Sequence, residues 1–338
     1  KDANGNPIVI PGKLKSVKAI GWFIEEYGVA QISINLTNIS VTPVHIAFDE
    51  VCKSAESRGI RVTGSELVGL IPLNALLDAG KYFLKKQQRS IGVSEKELIK
   101  IAVKSLGLDE LAPFKPEERI IEYLLRENEG KRLVNMSLTE FADETASESP
   151  APGGGSISAY MGAMGVALAT MVANLSSHKR GWDDRWEEFS AHAEKGQRIQ
   201  QEFIRLVDED TDAFNQIMNA FGLPKSTEEE KAARTTAIQK ATKNAMLVPY
   251  RVIEQAHQAM PLAKLMAEIG NPNSVSDAGV GALALRSAAI GAYLNVKINA
   301  GGLNDEEFKN TLLSKAAKLV EEVKAMESEV LEIVAGKI

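Results

Sequence analysis

The sequence predicts a small α/β domain followed by an all-α domain, in a chain of 338 residues. The first part contains short segments with alternating apolar residues, typical of strands, mixed with helical segments. Beyond residue 136 the apolar residues recur with helical periodicity over long segments. The charged stretch 126–135 lies between them and is typical of a linker. We therefore predict an α/β sandwich with a ferredoxin-like sheet and helices on one face at 1–125, and a helical bundle at 136–338.

The first domain is expected to begin with a hairpin. Val17–Ile24 and Val29–Leu36 alternate in the manner of paired strands, joined through Glu25–Gly28. Thr42-Pro43 begins an amphipathic helix that Gly59 ends. The remaining predicted elements are a strand at Ile60–Thr63 and helices at 72–86 and 95–106.

The second domain is expected to consist of long helices. Ser137 and Glu140 have the spacing of a capping box, which predicts the start of its first helix. Glycine and proline then interrupt the periodic segments. The predicted long helices are 153–178, 183–221, 227–259, 274–299 and 304–335, with breaks at 222–224, 260–261, 270–272 and 301–302.

Composition excludes some classes of function. The net charge of −6 argues against a broad nucleic-acid-binding face. Cys52 has no second cysteine to pair with, and the four histidines show no zinc-ligand spacing, so we expect no disulfide and no metal. A reducing, cytoplasmic location is the simplest expectation. No signal peptide is visible, and because the chain starts at Lys1 we expect it to begin inside a longer protein.

The most unusual segment runs from Ser149 to Ser177 without a charged residue. Its length would suffice to span a bilayer. Its alanine, glycine and serine content, with Tyr160 as its one aromatic residue, differs from the leucine-rich and anchored composition of a membrane helix. Small residues on every side favour a central helix of a bundle, and we predict no membrane association.

The start of this helix is a candidate ligand site. Pro152 fits the beginning of a helix, and Gly153, Gly154, Gly155 and Ser156 leave its first N–H groups accessible. Such groups favour an anion or a flat polar ligand lying against the backbone. Glycines kept only for helix packing are an equally good explanation from these residues alone.

Asp210 is the best candidate for an acid that does chemistry. It lies three residues from both Val207 and Ala213, and therefore on the apolar face of its helix. The same geometry places Asp208 and Asp212 in solvent. A carboxylate that faces a core is costly unless it is paired or used, and burial raises its pKa toward values useful for proton transfer. A structural Asp paired with an Arg of another helix is the alternative.

Four further residues are weaker candidates. Asp277 follows Ser274 at the spacing of a helix cap, which is the simpler explanation of its position. Asn295 is a potentially buried amide that needs partners, like Asn299. Lys179 and Arg180 follow the uncharged helix, where basic residues usually complement the helix dipole. A site for a polyanionic tail is the sharper interpretation of that pair.

These residues together resemble the formimidoyltransferase-cyclodeaminase family, which are bifunctional folate enzymes of histidine degradation. The resemblance covers essentially the whole chain. Its most specific motifs are Pro152-Gly-Gly-Gly-Ser156 and the Asp208-x-Asp210 pair. The motifs that resemble the C-terminal subdomain of the transferase half include Gly21-Trp22, Ala30-Gln-Ile-Ser33, Leu67-Val-Gly-Leu70 and Arg119-Ile-Ile-Glu-Tyr-Leu124. The motifs that resemble the cyclodeaminase domain include Leu223-Pro-Lys225, Gly270-Asn271, Ser276-Asp277 and Gly291-Ala-Tyr293.

The resemblance implies a reaction and a catalytic residue. The cyclodeaminase converts 5-formimidoyltetrahydrofolate to 5,10-methenyltetrahydrofolate and ammonia, and the catalytic Asp of the family matches Asp210. A tetrahydrofolate derivative is then the substrate. We expect its pterin against Gly153–Gly155 and a polyglutamate tail near Lys179 and Arg180. The family also assembles as a ring of dimers, which implies a homo-oligomer.

The sequence departs from the family in one respect. The transferase half of the family has an N-terminal subdomain with a catalytic His, and none of the four histidines here matches it. We therefore expect that subdomain to be missing from this chain. Two other functions stay open: a methenyltetrahydrofolate cyclohydrolase on the same scaffold, and a helical assembly module without catalysis.

Overall fold

The computed structural model describes residues 3–5, 7, 12–126 and 132–338. They form two compact units. The first holds the described residues up to Gln87 and those from Ser94 to Arg126, and the second holds Gln88–Val93 and the described residues from Arg132 onward. Most of the predicted linker at 126–135 lies outside the described residues. The domain boundaries at 125 and 136 stay a prediction, and by its packing Gln88–Val93 belongs to the second unit.

The first unit begins with the hairpin that the alternating pattern predicts. Strand β1 (Val17–Ile24) pairs antiparallel with β2 (Val29–Leu36) along their whole length, from Val17 opposite Leu36 to Ile24 opposite Val29. The turn closes through a bond from the Gly28 N–H to the Glu25 carbonyl. Gly28 adopts a φ of +62°, a conformation that glycine accepts without a steric penalty. Both predicted strands and their turn are confirmed.

The ferredoxin-like sandwich is not confirmed. In the described residues the sheet has two strands, and large apolar side chains on both of its faces are exposed. Two strands do not provide enough paired surface to bury those side chains. The exposed residues are Ile20, Trp22, Phe23, Val29 and Ile32.

The predicted strand at Ile60–Thr63 is wrong. The segment forms neither strand nor helix, and the backbone bonds at its start and just after its end go to a preceding helix and to a turn instead of a neighbouring strand. Ile60 N–H donates to the Ala55 carbonyl, and Ser65 N–H donates to the Gly107 carbonyl. An apolar extended segment becomes a strand only where a partner strand is present, which the segment's own pattern does not reveal.

Helices supply the core of the first unit. Helices α2 and α3 pack together through fully buried Leu76, Ala79 and Ala102. The Ser94 side chain caps α3 by accepting from the Glu97 N–H, as expected for serine at this position. The helices of this unit are α1 (Val44–Glu56), α2 (Leu73–Lys86), α3 (Glu95–Leu106), α4 (Pro116–Arg119) and α5 (Ile121–Arg126).

The second unit is a bundle of long helices, as predicted. Ser137 and Glu140 form the predicted capping box, with the hydroxyl and the carboxylate each accepting from the other residue's N–H. Thr227 and Glu230 form another at the start of α9. The helices are α6 (Leu138–Thr145), α7 (Gly154–Ser177), α8 (Trp186–Phe221), α9 (Glu228–Ile269), α10 (Val275–Ala300) and α11 (Glu306–Ala335).

Helix α9 continues through two prolines, so the predicted break at Met260-Pro261 is wrong. A proline inside a helix leaves the carbonyl four residues earlier without its N–H partner. For Pro249 that carbonyl belongs to Ala245, and the Asn299 side-chain amide donates to it at 2.7 Å. Pro261 itself is exposed, while Leu262 and Ala263 are buried in the core. The Asn299 amide at Pro249 and the buried neighbours of Pro261 therefore compensate for the cost of placing proline inside a helix.

Helix α7 is the central element of the bundle, because it packs against α8, α9 and α10. It runs antiparallel to α10, since Gly154 lies beside Asn295 whereas Gly165 lies beside Gly281. A β-carbon at Gly165 would lie 2.8 Å from the Gly281 carbonyl oxygen and 2.9 Å from Leu285 Cγ. The absence of side chains at Gly165 and Gly281 therefore permits the two backbones to approach closely.

Two helical stretches are long and apolar enough to cross a membrane by length and composition alone, Gly154–Ser177 and Pro272–Ala300. Their most apolar windows are 61% and 44% buried by the rest of the protein. The core helix of a bundle meets the same criterion. The finding therefore does not assign either stretch to a membrane.

We predict that Gly165→Ala destabilises the second unit by about 1–3 kcal/mol, because the new methyl group overpacks the contact between α7 and α10. Chemical denaturation followed by circular dichroism measures the change in unfolding free energy. Gly336→Ala is the control, since its β-carbon would meet only backbone at 3.5 Å at the end of α11. Equal stability of the two variants would show that the close approach carries no energetic constraint.

Candidate active site

The glycine-rich start of α7 forms the floor of the candidate site. Gly153 is the N-cap residue and has no side chain to satisfy the first N–H groups. Pro152 is buried before it, after a cis Ala151–Pro152 peptide bond. Gly155 and Ser156 are buried, whereas Gly154 is exposed. The sequence thus leaves the positive end of the α7 dipole to be satisfied by groups from elsewhere.

The carboxylate of Asp210 on α8 lies at this helix start. A β-carbon at Gly155 would overlap that carboxylate, so only glycine allows the approach. The Ser156 hydroxyl lies 3.1 Å from Asp210 Oδ2 and 2.9 Å from the Val207 carbonyl oxygen, to either of which it donates. The Ser156 backbone N–H also donates to the carboxylate. The predicted floor and the predicted acid are therefore in direct contact.

The environment of Asp210 raises its pKa. Burial is the largest cause, since it disfavours the charged carboxylate, and the bonds from the Ser156 hydroxyl and N–H act in the opposite direction. No Lys or Arg of the described chain forms an ion pair with Asp210. The acid is therefore stabilised by oriented dipoles instead of a full positive charge, an arrangement that allows both protonation states to be reached.

The residues that flank Asp210 take the structural roles. Glu209 forms ion pairs with Arg205 on its own helix and with Arg251 on α9. The alternative explanation of Asp210, an ion pair with an Arg of another helix, is therefore realised at Glu209. Asp208 was predicted to be solvated, and this is wrong: its Oδ1 accepts the Leu133 N–H at 2.9 Å, and burial raises its pKa. Asp212 is exposed, as predicted.

Asn295 of α10 lies beside the same helix start, at Gly154, one position before the glycine that Asp210 approaches. Its side-chain nitrogen donates to the Gly291 carbonyl at 2.9 Å, and the same nitrogen would be 3.3 Å from a β-carbon at Gly154. Its side chain is partly buried. The amide therefore borders the accessible Gly154, on a different helix from Asp210. A flat ligand placed against Gly154 would reach Asn295 from one side.

The structure does not bring the other predicted site residues to this place. Asp277 lies 18 residues before Asn295 on α10, which corresponds to about 27 Å along the helix. Lys179 and Arg180 follow the far end of α7, roughly 32 Å from Ser156. The Lys179 ammonium lies 4.0 Å from the Trp182 ring centre. The predicted site residues therefore lie at two opposite ends of the bundle. Asp210, the glycines and Asn295 are at one end, and Asp277, Lys179 and Arg180 are at the other.

The helix cap predicted for Asp277 is wrong as well. Helix α10 begins at Val275, and the Ser274 side chain makes no capping bond. The preceding turn is organised by Asn271, whose side chain accepts from the Asn273 N–H. Asp277 is partly buried and forms no ion pair within the described chain. Among the described residues, no three His, Cys, Asp or Glu side chains are grouped so as to hold a metal ion.

Comparisons with known proteins identify the family. A family model described as formiminotransferase-cyclodeaminase matches residues 137–318, and one described as the formiminotransferase domain matches residues 2–126. The chain belongs to the formiminotransferase-cyclodeaminase family. It therefore carries a transferase domain, and the prediction that only the C-terminal subdomain of that domain is present is not confirmed.

Relatives of the family agree with this assignment. Formimidoyltransferase-cyclodeaminase of Gallus gallus is 40% identical over 315 residues, covering 93% of this chain and 58% of the relative. The Rattus norvegicus protein of the same name is 38% identical over 322 residues, covering 95% of this chain and 59% of the relative. The chain thus spans about three fifths of the length of these relatives.

Two further relatives each match a share of the chain close to the share that the helical unit makes up. Methenyltetrahydrofolate cyclohydrolase of Methylorubrum extorquens is 38% identical over 204 residues, covering 60% of this chain and 98% of the relative. The crystal structure of formiminotetrahydrofolate cyclodeaminase from Thermotoga maritima superimposes with a TM-score of 0.54 at 31% identity, covering 60% of this chain and 97% of that chain. The all-helical fold of this unit is therefore shared with a family member of known structure.

Sequence reasoning missed two features around the site. Thr211 Oγ1 lies 3.4 Å from Ser156 Oγ, and its position directly after Asp210 was the available signal. The Leu133–Asn135 turn is tethered to α8 through Asp208, and Phe141 of α6 contacts the Tyr160 ring at 5.4 Å between centres. The contacts of Asp208 and Phe141 cross long stretches of sequence, so no local pattern indicates them.

We predict that the effect of Asp210→Asn on the unfolding free energy depends on pH. Relative to the wild type, the variant should be more stable at neutral pH than it is at acidic pH. The pKa of Asp210 is raised above 3.8 in the folded state, so the fold holds the proton more tightly than the unfolded chain does. This stabilisation is complete below the unfolded pKa and is lost as the pH rises through the folded pKa. The wild-type unfolding free energy should therefore fall relative to the variant across that window.

Urea denaturation of both proteins between about pH 4 and pH 8 measures this difference, since the variant lacks the titration. Asp212→Asn controls for the loss of a negative charge on the same helix, because Asp212 is exposed. A wild-type minus Asp210→Asn difference that does not vary with pH would contradict the raised pKa.

Proposed function

We propose that the helical unit is a formimidoyltetrahydrofolate cyclodeaminase, with Asp210 as the group that accepts and donates the proton. The observation that carries the proposal is the contact between Asp210 and the first turn of α7, where a partly buried carboxylate with no ion pair to the described residues lies beside accessible backbone. Membership of the family and the relatives named for cyclodeamination support the choice of reaction. The substrate is a tetrahydrofolate derivative.

The reaction needs a proton moved twice. N10 of 5-formimidoyltetrahydrofolate attacks the carbon of the protonated formimidoyl group (N5–CH=NH2+), whose C=N double bond opens to an amino group, and the new C–N bond leaves a proton on N10 that the Asp210 carboxylate accepts. The protonated Asp210 then donates to the amino nitrogen, the bond from carbon to that nitrogen breaks, and ammonia leaves. The product is 5,10-methenyltetrahydrofolate. A single acid with a raised pKa serves both steps.

The neighbours of Asp210 have positioning roles in this proposal. Ser156 holds the carboxylate through its hydroxyl and N–H, which fixes the direction in which the proton is transferred. Gly154 and Asn295 form a wall with one exposed backbone surface and one side-chain amide, which suits a flat heteroaromatic ring with polar edges. Pro152 and Gly153 set the direction in which the chain enters α7.

We also propose that the chain is part of a bifunctional glutamate formimidoyltransferase and cyclodeaminase of histidine degradation. The transferase match at residues 2–126 and the relatives that carry both names support this. The transfer step would supply the formimidoyl group that the helical unit then cyclises. Whether the transferase N-terminal subdomain is missing stays a prediction.

A methenyltetrahydrofolate cyclohydrolase is the second candidate function. The observation in its favour is that the relative of that name matches the helical unit over 98% of its own length. In that reaction the same carboxylate would accept a proton from water as it attacks the methenyl carbon. The two candidates therefore share a site and differ in the substrate consumed.

We predict that Asp210→Asn lowers kcat for cyclodeamination by about a hundredfold to ten-thousandfold, the usual contribution of a general acid–base. The amide keeps the shape and accepts the Ser156 bonds but does not exchange a proton. Ammonia release and the appearance of methenyltetrahydrofolate absorbance are measured on 5-formimidoyltetrahydrofolate. Asp212→Asn is the matched control, on the same helix and exposed, and should retain wild-type rates.

The same assay separates the candidate functions. A cyclodeaminase accumulates methenyltetrahydrofolate together with ammonia, whereas a cyclohydrolase consumes added methenyltetrahydrofolate and releases no ammonia. A folded wild-type protein inactive on both substrates would support an assembly module without catalysis. Full activity of Asp210→Asn would refute the assignment of the catalytic proton to Asp210.

A further inference from the structure

The face of α8 that packs against α7 is marked by three contacts at regular spacing. In each contact, a β-carbon added to the glycine would overlap the other residue. The pairs are Gly196 with Thr170, Phe203 with Gly162, and Asp210 with Gly155. The α8 members recur every seven residues, which is close to two helical turns, so they share one face. Their α7 partners follow in the opposite order, so the two helices are antiparallel.

This face of α8 continues beyond the point where α7 begins. Helix α7 starts at Gly154, one residue before the position that contacts Asp210, whereas α8 runs on to Phe221. Helix periodicity places Phe214, Ile217 and Phe221 on the same face as Asp210. Phe214 is 36% exposed and Phe221 is 50% exposed. An apolar extension of the α8 face therefore lies past the polar floor of the candidate site, where α7 no longer covers it.

Phe214 is the member of this extension that lies nearest to the candidate acid. It follows Asp210 by four residues, a spacing that puts two β-carbons about 5–6 Å apart on one side of a helix. Thr211 Oγ1 lies 3.4 Å from Ser156 Oγ, and Ala213 is small and buried. A ligand that contacts Asp210 and extends along α8 past the start of α7 therefore meets the Phe214 ring. Aromatic side chains around a few polar groups are typical of sites for small molecules.

The chemistry of the proposed substrate places an aromatic ring at this distance. In 5-formimidoyltetrahydrofolate, N10 is bonded directly to the benzene ring of the aminobenzoyl group. A proton passes from N10 to the Asp210 carboxylate over a heavy-atom distance of about 2.6–3.2 Å. The benzene ring therefore lies within about one helical turn of Asp210, and the centres of two aromatic rings in contact prefer a separation of about 4.5–7 Å. Phe214 is the aromatic side chain of α8 within that reach.

We propose that Phe214 binds the aminobenzoyl ring of the tetrahydrofolate substrate, beside the pterin that Gly154 and Asn295 hold. The inference rests on the proposed function, from which it takes the substrate and the acid. Phe214 exchanges no proton and contacts a part of the substrate that the reaction leaves unchanged. Such a contact is equally strong in the ground state and in the transition state, so its loss raises KM and spares kcat. The contact also makes the site selective for folates over pterins that lack the ring.

The first experiment measures binding to the full chain without turnover, by isothermal titration calorimetry. One probe is 5-formyltetrahydrofolate, which carries the aminobenzoyl ring, and the other is 6-methyltetrahydropterin, which lacks it. Phe214→Leu should weaken the binding of the first probe about three- to tenfold, the usual contribution of an aromatic pair, and leave that of the second unchanged. Phe214→Tyr keeps an aromatic ring at the position and should bind both probes as the wild type does.

Phe221→Leu is the matched control for these variants. It makes the same change on the same face of α8, at a more exposed position about 10 Å further along the helix, and should bind both probes as the wild type does. The second experiment is steady-state kinetics on 5-formimidoyltetrahydrofolate. Phe214→Leu should raise KM by a factor similar to that measured in binding and retain kcat, whereas Phe221→Leu should change neither constant.

The outcomes separate the ring contact from the proposed reaction. A wild type that shows the expected binding differences but does not turn over 5-formimidoyltetrahydrofolate would support the ring contact and refute the reaction. An active wild type whose folate binding and KM are unchanged in Phe214→Leu would refute the ring contact alone. Equal weakening of both probes in Phe214→Leu, or an equal effect of Phe221→Leu, would show a general disturbance of the helix and overturn the proposal. A wild type that binds neither probe would overturn both.

Discussion

The close approach of helices around α7 is the constraint on which the second unit depends. Four of its glycines lie where a β-carbon would meet another helix: Gly154 near Asn295, Gly155 at Asp210, Gly162 at Phe203 and Gly165 at Gly281. The cost of so much glycine in a helix is lost backbone entropy. Burial of α7 on three sides offsets that cost, because a helix without bulky side chains lets its neighbours pack backbone to backbone. The same lack of side chains brings a carboxylate from α8 to the first turn of α7, so packing and chemistry have one origin.

Two opposing effects act on that carboxylate, and their balance suits proton exchange. Burial favours the neutral acid, whereas the N–H groups at the start of a helix and the Ser156 hydroxyl favour the anion. A neighbouring arginine would have shifted the balance toward a permanent anion, and the bundle places Arg251 on Glu209 instead. Adjacent residues on one helix turn therefore differ in role: Glu209 ties α8 to α9, Asp208 holds the Leu133 turn, and Asp210 forms no ion pair with the described part of the chain. The acidic residues of this segment look alike in the sequence, but their packing in the bundle gives each carboxylate a different partner.

The sequence predicts local features well and distant partners poorly. The hairpin and the Ser137 capping box follow from residues within a few positions of one another, and both are confirmed. The position of Asp210 facing the core follows from helix periodicity in the same way. The break at Pro261 and the strand at Ile60–Thr63 fail because their outcome depends on groups far along the chain. At Pro249 the deciding group is the Asn299 amide, 50 residues away in sequence, which bonds the carbonyl that the proline leaves free. Asp208 was misassigned for the same reason, since Leu133 approaches it from a segment 75 residues earlier.

The division of the predicted site residues follows from the geometry of a bundle. Long helices separate residues at their ends by roughly 30 Å, so a sequence motif at each end of α7 belongs to two places in one copy. Asp210, the glycines and Asn295 gather at one end because α8 and α10 both run antiparallel to α7. Lys179, Arg180 and Asp277 gather at the other for the same reason.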